Sequence, residues 1–130
     1  MSRYLVDTHV WLWMQAEPGR LRDETRELAE DMANELLLSA ASVWEIAIKY
    51  RIGKLPLPEP PVTYVPERMR RSGTMPLPIE PVHALRTCEL PDHHSDPFDR
   101  LLIAQAHILR IPIVTADKQI EAYDVDVVAA

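Results

Sequence analysis

Cysteine is nearly absent: Cys88 is the only one in the chain. A lone thiol excludes an internal disulfide and cannot build a thiolate metal cluster within one chain. Cys88 is therefore expected as a small buried or half-buried residue. No apolar run approaches the roughly 20 residues that a membrane-spanning helix needs, and MSRYLVDTHVWLW lacks the long apolar stretch and small-residue cleavage site of a signal peptide. A cytoplasmic protein with no membrane association is expected. Internal repeats, low-complexity tracts and composition breaks are also missing, so residues 1–130 are expected to form one domain. The prolines at 56, 58, 60 and 61 mark a loop too short to separate two. Excess positive charge is lacking too. A net charge of −6 leaves no general polyanion-binding surface, although Lys49, Arg51 and Lys54, and Arg68, Arg70 and Arg71, form two local basic groups.

What is present is a globular balance, 47% hydrophobic and 26% charged, with short β-rich runs alternating with helical patterns. Tyr4-Leu5-Val6 is the first run. A Trp/Leu-rich segment follows, then a helical stripe of Leu21, Thr25, Leu28, Ala29 and Met32. Leu36-Leu37-Leu38 is the second run, followed by a helix with Val43, Ile46, Ala47 and Tyr50 on one stripe and Gly53 at its stop. Residues 62–72 predict a helix interrupted or opened by Pro66, and Met75 to Ile79 predict a proline-bearing edge strand. A short helix from Pro81 to Cys88 precedes the strongest one, which opens at Asp96-Pro97 and carries Leu101, Leu102, Gln105, Ile108 and Leu109. Ile111 to Val114 reads as a buried strand, 117–122 as a helical turn or two, and Val125 to Val128 as a closing strand. Strands separated by helices imply right-handed crossovers: an α/β fold with a largely parallel sheet covered on both faces.

In such sheets ligands bind beyond the carboxyl ends of the strands, where the strand order reverses. Asp7 follows the first run directly, and Asp117 follows the Ile111–Val114 run through Thr115 and Ala116. Glu45 falls in an early turn of the helix after Leu38, and Asp99 in the first turn of the Asp96 helix, positions that border the same crevice. Each acid also has an ordinary role open to it. Asp7 caps a helix beginning near His9, Ser42 and Glu45 match a capping box, Asp96 with Asp99 makes a related pattern, and Asp117 caps the last turn. Gathered together, however, four unpaired carboxylates would repel one another and raise their pKa values, a conflict that a bound cation removes. Mg²⁺, a hard ion that prefers oxygen ligands and keeps several waters, suits the set, and Mn²⁺ serves with the same ligands. Such a site activates water for attack on a phosphodiester without a protein nucleophile.

The segments YLVDTHVWLW, SAASVWEIAIKYRIGKL, HHSDPFDRLLIAQA and IVTADKQIEAYDV together resemble the PIN-domain ribonucleases, and closely the VapC-type toxins of type II toxin–antitoxin pairs. The resemblance spans almost the whole chain. It implies a PIN-like three-layer α/β/α fold with a parallel sheet of four or five strands, Mg²⁺-dependent cleavage of RNA, a homodimer, and inhibition by a cognate antitoxin. Carried over residue by residue, the family's acids fall on Asp7, Glu45, Asp99 and Asp117 as catalytic and metal-binding residues. Asp96 is a fifth acid, read as an N-cap that could also order a metal water. Thr8 and Thr115 are candidates for orienting metal-bound water through their hydroxyls. Arg100 is a candidate contact to RNA phosphate or partner to a carboxylate. Trp11, Trp13 and Trp44 are candidates to line an antitoxin groove. His93 and His94 are expected in a solvated loop, and His9, His83 and His107 lack metal-ligand spacing.

Two other readings use the same acids. A phosphoacceptor receiver domain has this length and a parallel sheet, but needs an acid pair at the first strand and a phosphoacceptor at a central strand end. Here Asp7 stands alone and the second run ends in Ser39. A catalytically silent partner-binding module would use the acids only as helix caps.

Overall fold

A computed structural model describes residues 2–130. Its strands are β1 (Arg3–Val6), β2 (Glu35–Ser39), β3 (Met75–Leu77), β4 (Ile113–Thr115) and β5 (Val127–Ala129). Its helices are α1 (Thr8–Ala16), α2 (Asp23–Glu30), α3 (Ala40–Arg51), α4 (Pro61–Ser72), α5 (Pro81–Arg86) and α6 (Pro97–Leu109). The five strands lie in the order β3-β2-β1-β4-β5, and every pairing is parallel. The chain runs outward from β1 to β3, then returns to place β4 on the other side of β1. The strand order therefore reverses between β1 and β4, and the crevice lies at their carboxyl ends.

Strand alternation builds the three layers. Leu5, Leu37 and Ile113 face one way and pack with Leu102, Ile103 and Ala106 of α6. Val6, Leu36, Leu38 and Val114 face the other way, against Val10 and Trp11 of α1, Ile46 of α3, and Tyr64 and Val65 of α4. The result is a three-layer α/β/α fold with a five-stranded parallel sheet. No helix among the described residues is long and apolar enough to cross a membrane.

β3 takes the expected edge position with Pro76 opposite Leu38. Several sequence expectations are revised. Met32 lies outside α2 and is 99% exposed, because the backbone turns extended at Asp31, whose carboxylate accepts from the Ala33 N–H at 2.9 Å. Pro61 opens α4, and Pro66 sits inside it on the exposed side; the helix ends at Gly73, whose φ of 70° is the left-handed conformation glycine tolerates. Cys88 is exposed, in a 3₁₀ turn (Thr87–Glu89) after α5. Trp11 lines no groove: it is fully buried, and its indole N–H donates to Thr74 Oγ1 at 3.1 Å.

Candidate active site

A single residue, Asp7, separates β1 from α1; it is extended and caps the helix. Its carboxylate is held at both oxygens: the Thr8 N–H donates to Oδ1 at 2.8 Å, and the Thr115 hydroxyl at the end of β4 donates to Oδ2 at 2.7 Å. The Thr115 oxygen in turn accepts the Asp117 N–H at 3.0 Å, so one buried hydroxyl ties together the acids that follow the two central strands. Asp117 Oδ1 also accepts from the Gln119 N–H at 2.9 Å. Thr8 turns its hydroxyl away from the acids and donates to Ser42 Oγ at 2.8 Å, joining α1 to α3.

The capping box expected at Ser42 and Glu45 is not formed. The N-cap is Ser39, whose hydroxyl accepts from the Ala41 N–H at 3.0 Å, so Ser42 and Glu45 lie inside the helix. The buried face of α3 carries Ala41, Ser42, Glu45 and Ile46, whereas Ala47, from the expected stripe, is exposed. Glu45 is thus 3% exposed. Lys49 donates to its Oε2 at 2.7 Å, and its Oε1 is buried with no hydrogen-bond partner.

Asp96 caps α6, accepting the N–H groups of Phe98 and Asp99 at 2.9 and 3.2 Å. Asp99, one turn into the helix, is buried. Burial pushes its pKa up to about 8, reinforced by the negative charges of Asp7, Asp96, Glu45 and Asp117. Burial also raises Asp7, against the opposing hydrogen bond from Thr115. The five acids share one pocket of about 300 Å³, lined also by Lys49, His9 and Trp13.

Arg100 does not reach this pocket. Its guanidinium donates to the carbonyls of Thr87, Leu90, Pro91 and His94 and to the Tyr123 hydroxyl, at 2.8 to 3.3 Å, and lies 3.9 Å from the Asp92 carboxylate, which makes it a clamp on the loop before α6. That loop carries the residue sequence reasoning misplaced. His93 is exposed as expected, but the His94 side chain is only 7% exposed, with Nδ1 2.7 Å from Tyr123 Oη and Nε2 3.4 Å from Asp99 Oδ2. Trp44 is 59% exposed and rests edge-on against Phe98.

The donor set suits a hard cation. It offers carboxylate oxygens, one of them buried and without a partner, and an acid whose ionisation its neighbours oppose. Among the described residues no three His, Cys, Asp or Glu side chains are drawn into a ready-made metal cage. The acids ring a pocket with room for water, as suits an ion that retains part of its hydration shell.

Comparison with known proteins agrees with this architecture. The PIN domain family model matches residues 4–126. Ribonuclease VapC22 of Mycobacterium tuberculosis (strain ATCC 25618 / H37Rv) is 30% identical over 124 residues, 95% of this chain and 93% of that protein. Ribonuclease VapC16 of the same organism is 61% identical over 61 residues, which span 47% of this chain and 43% of that relative's length. The crystal structure of VapBC2 from Rickettsia felis, bound to a DNA fragment from their promoter, matches with a TM-score of 0.72 at 14% identity over 97% of both chains, a likeness of fold. A five-stranded parallel sheet with acids at its reversal point, and sequence matches across nearly its full length, place this chain in the PIN domain family, in its VapC-type group.

Proposed function

We propose that this chain is a divalent-metal-dependent endoribonuclease that acts in the cytoplasm as the toxin of a toxin–antitoxin pair, with Mg²⁺ as its cation and Mn²⁺ as a substitute. The observation that carries the reading is the shortage of positive charge in the pocket: Asp99 is pushed up to about 8 among four other acids while Glu45 Oε1 stays buried without a partner. Asp7, Glu45, Asp99 and Asp117 would hold the cation. When bound, it supplies the neutralising charge, polarises the phosphodiester and lowers the pKa of attacking water.

The chain's own residues do the rest. Thr115 holds Asp7 in one orientation, so that acid need not reorganise on binding. Asp96 organises the first turn of α6 and keeps a carboxylate in the pocket. Lys49, paired with Glu45 and lining the pocket, would meet an RNA phosphate. The partners in this reading are RNA, a cognate antitoxin and a second copy of the chain. Exposed Trp44 is a candidate antitoxin contact.

The receiver-domain alternative is not favoured. β2 ends in Ser39, a buried hydroxyl committed to the Ala41 N–H and to Gln105 Oε1 at 2.6 Å, and it offers no phosphoacceptor. The test is cleavage of a single-stranded RNA by purified protein with Mg²⁺ and with a chelator. Cleavage that needs the cation and is lost in Asp99→Asn and Asp117→Asn is expected. Cleavage at an unchanged rate in Asp7→Ala and Asp99→Ala would overturn the site, and cation binding without cleavage would leave a partner-binding module.

A further inference from the structure

We propose that His94 is a positioning residue for Asp99: Tyr123 holds its ring so that Nε2–H faces the Asp99 carboxylate and leaves the second carboxylate oxygen available to a cation. The inference rests on reading the pocket as a cation centre.

The Tyr123 hydroxyl has three polar neighbours and one proton to give. A tyrosine O–H has one hydrogen to give and two lone pairs with which to accept. Two donors point at the Tyr123 oxygen, the backbone N–H of His94 at 3.3 Å and Arg100 Nη1 at 3.2 Å, which shares its two hydrogens among this oxygen and the carbonyls of Pro91 and His94. Neither can accept. The tyrosine hydrogen is therefore left for its third neighbour, His94 Nδ1, at 2.7 Å. Nδ1 accepts, so the ring proton lies on Nε2, the nitrogen that faces Asp99 Oδ2 at 3.4 Å. That contact is long, as such hydrogen bonds often are before ligands bind and tighten them.

The placement is built rather than incidental. The His94 side chain is 7% exposed, its ring leans on Tyr123 with centroids 5.3 Å apart, and Arg100 ties down its carbonyl. Asp7 has hydrogen bonds to both oxygens from Thr8 and Thr115; among the described residues, the side-chain donor that reaches the Asp99 carboxylate is His94. Carboxylates that ligate metals are commonly held by such outer partners, and loss of one costs about 10–100-fold in metal affinity or activity.

Two measurements decide the matter. Side-chain ¹⁵N shifts of the metal-free wild-type protein should report the Nε2–H tautomer for His94, moving toward a tautomer mixture in Tyr123→Phe; an Nδ1–H tautomer in the wild type overturns the inference. Calorimetric Mg²⁺ binding should weaken by about tenfold or more in His94→Ala. His94→Gln, whose amide nitrogen reaches the Nε2 position, should recover most of that loss, and His94→Asn, which reaches only the Nδ1 position, should not. Equal affinity in all four proteins, or rescue by Asn as good as by Gln, makes His94 a packing residue and overturns the inference alone. A wild-type protein that binds no Mg²⁺ overturns the cation reading, and the inference with it.

Discussion

The strand side and the helix side of the acidic pocket are built on opposite terms. At the strand ends, Asp7 has both oxygens in hydrogen bonds, and Thr115 links it to the backbone of Asp117. On the helices, Glu45 has one oxygen paired with Lys49 and the other with no partner, and Asp99 has a single long contact from His94. One side keeps its geometry without help; the other is short of positive charge. A site divided this way can have fixed geometry and still draw a cation: the strand side supplies the rigidity, and burial leaves charge unmet on both sides, at Asp99 most of all.

Neutralising one acid from each side separates the two sides most clearly. In single-turnover RNA cleavage with Mg²⁺, Asp7→Asn and Asp99→Asn are each expected to lose about 10²–10³-fold, the scale of removing one preorganised electrostatic contact. Their effects on stability should diverge. The Asp99 carboxyl titrates near 3.8 in an unfolded chain and near 8 in the metal-free fold. Between those values the folded state holds a proton that the unfolded state has released, so the stabilisation from this group is full below the lower value and lost as pH rises through the upper one. Metal-free wild type should therefore lose stability from pH 5 to pH 8 relative to Asp99→Asn, by on the order of a few kcal/mol, and Mg²⁺ should abolish the difference. Asp7→Asn also removes a charge that burial opposes, but it places an amide where Thr115 and the Thr8 N–H both need an acceptor, and on balance should destabilise. Denaturant midpoints across that pH range decide between these outcomes.

Removing the strand side's organiser is the next largest change. Thr115→Val takes a donor from Asp7 and an acceptor from the Asp117 N–H at a site only 2% exposed. The expected loss is about 1–3 kcal/mol of stability and about 10–100-fold in cleavage, with Thr115→Ser retaining most of both. If Thr115→Val cleaves RNA as fast as wild type, the strand side is not preorganised by this hydroxyl.

The same division governs what could be read without a structure. Asp7 and Asp117 were placed by a physical rule, that acids following central strands meet where the strand order reverses, and the β3-β2-β1-β4-β5 order puts them there. The α6 cap at Asp96-Pro97 was equally visible because its signal is local. Glu45 was placed on the right helix, but hydrophobic periodicity caught only part of that helix's buried face: Ile46 is buried and Val43 packs on the core, while Ala47 is exposed and Ser42 and Glu45 are buried, which a pattern of apolar residues cannot count. Its relevance came through the family motif. His94 was missed because its burial depends on Tyr123, 29 residues away, a contact that no local pattern encodes. For Arg100 the sequence showed the charge and suggested a carboxylate partner, which Asp92 supplies at 3.9 Å, but not the carbonyls that surround it.

The smallest expected effect separates two basic residues that the sequence could not tell apart. Lys49 lines the pocket and Arg100 does not. A residue that neutralises an RNA phosphate releases counterions, so its loss lowers the slope of log affinity against log salt by up to about one unit. Lys49→Gln should show that change together with weaker RNA binding, measured with Ca²⁺ in place of Mg²⁺ to suppress cleavage. Arg100→Lys keeps the charge but cannot span the carbonyls of Thr87, Leu90, Pro91 and His94 from one planar fork. It should cost about 1–2 kcal/mol of stability, and Arg100→Gln should leave the salt slope at the wild-type value. A reduced slope in Arg100→Gln would return that residue to the RNA surface and place part of the substrate path along the loop before α6, outside the pocket that Lys49 shares with the acids.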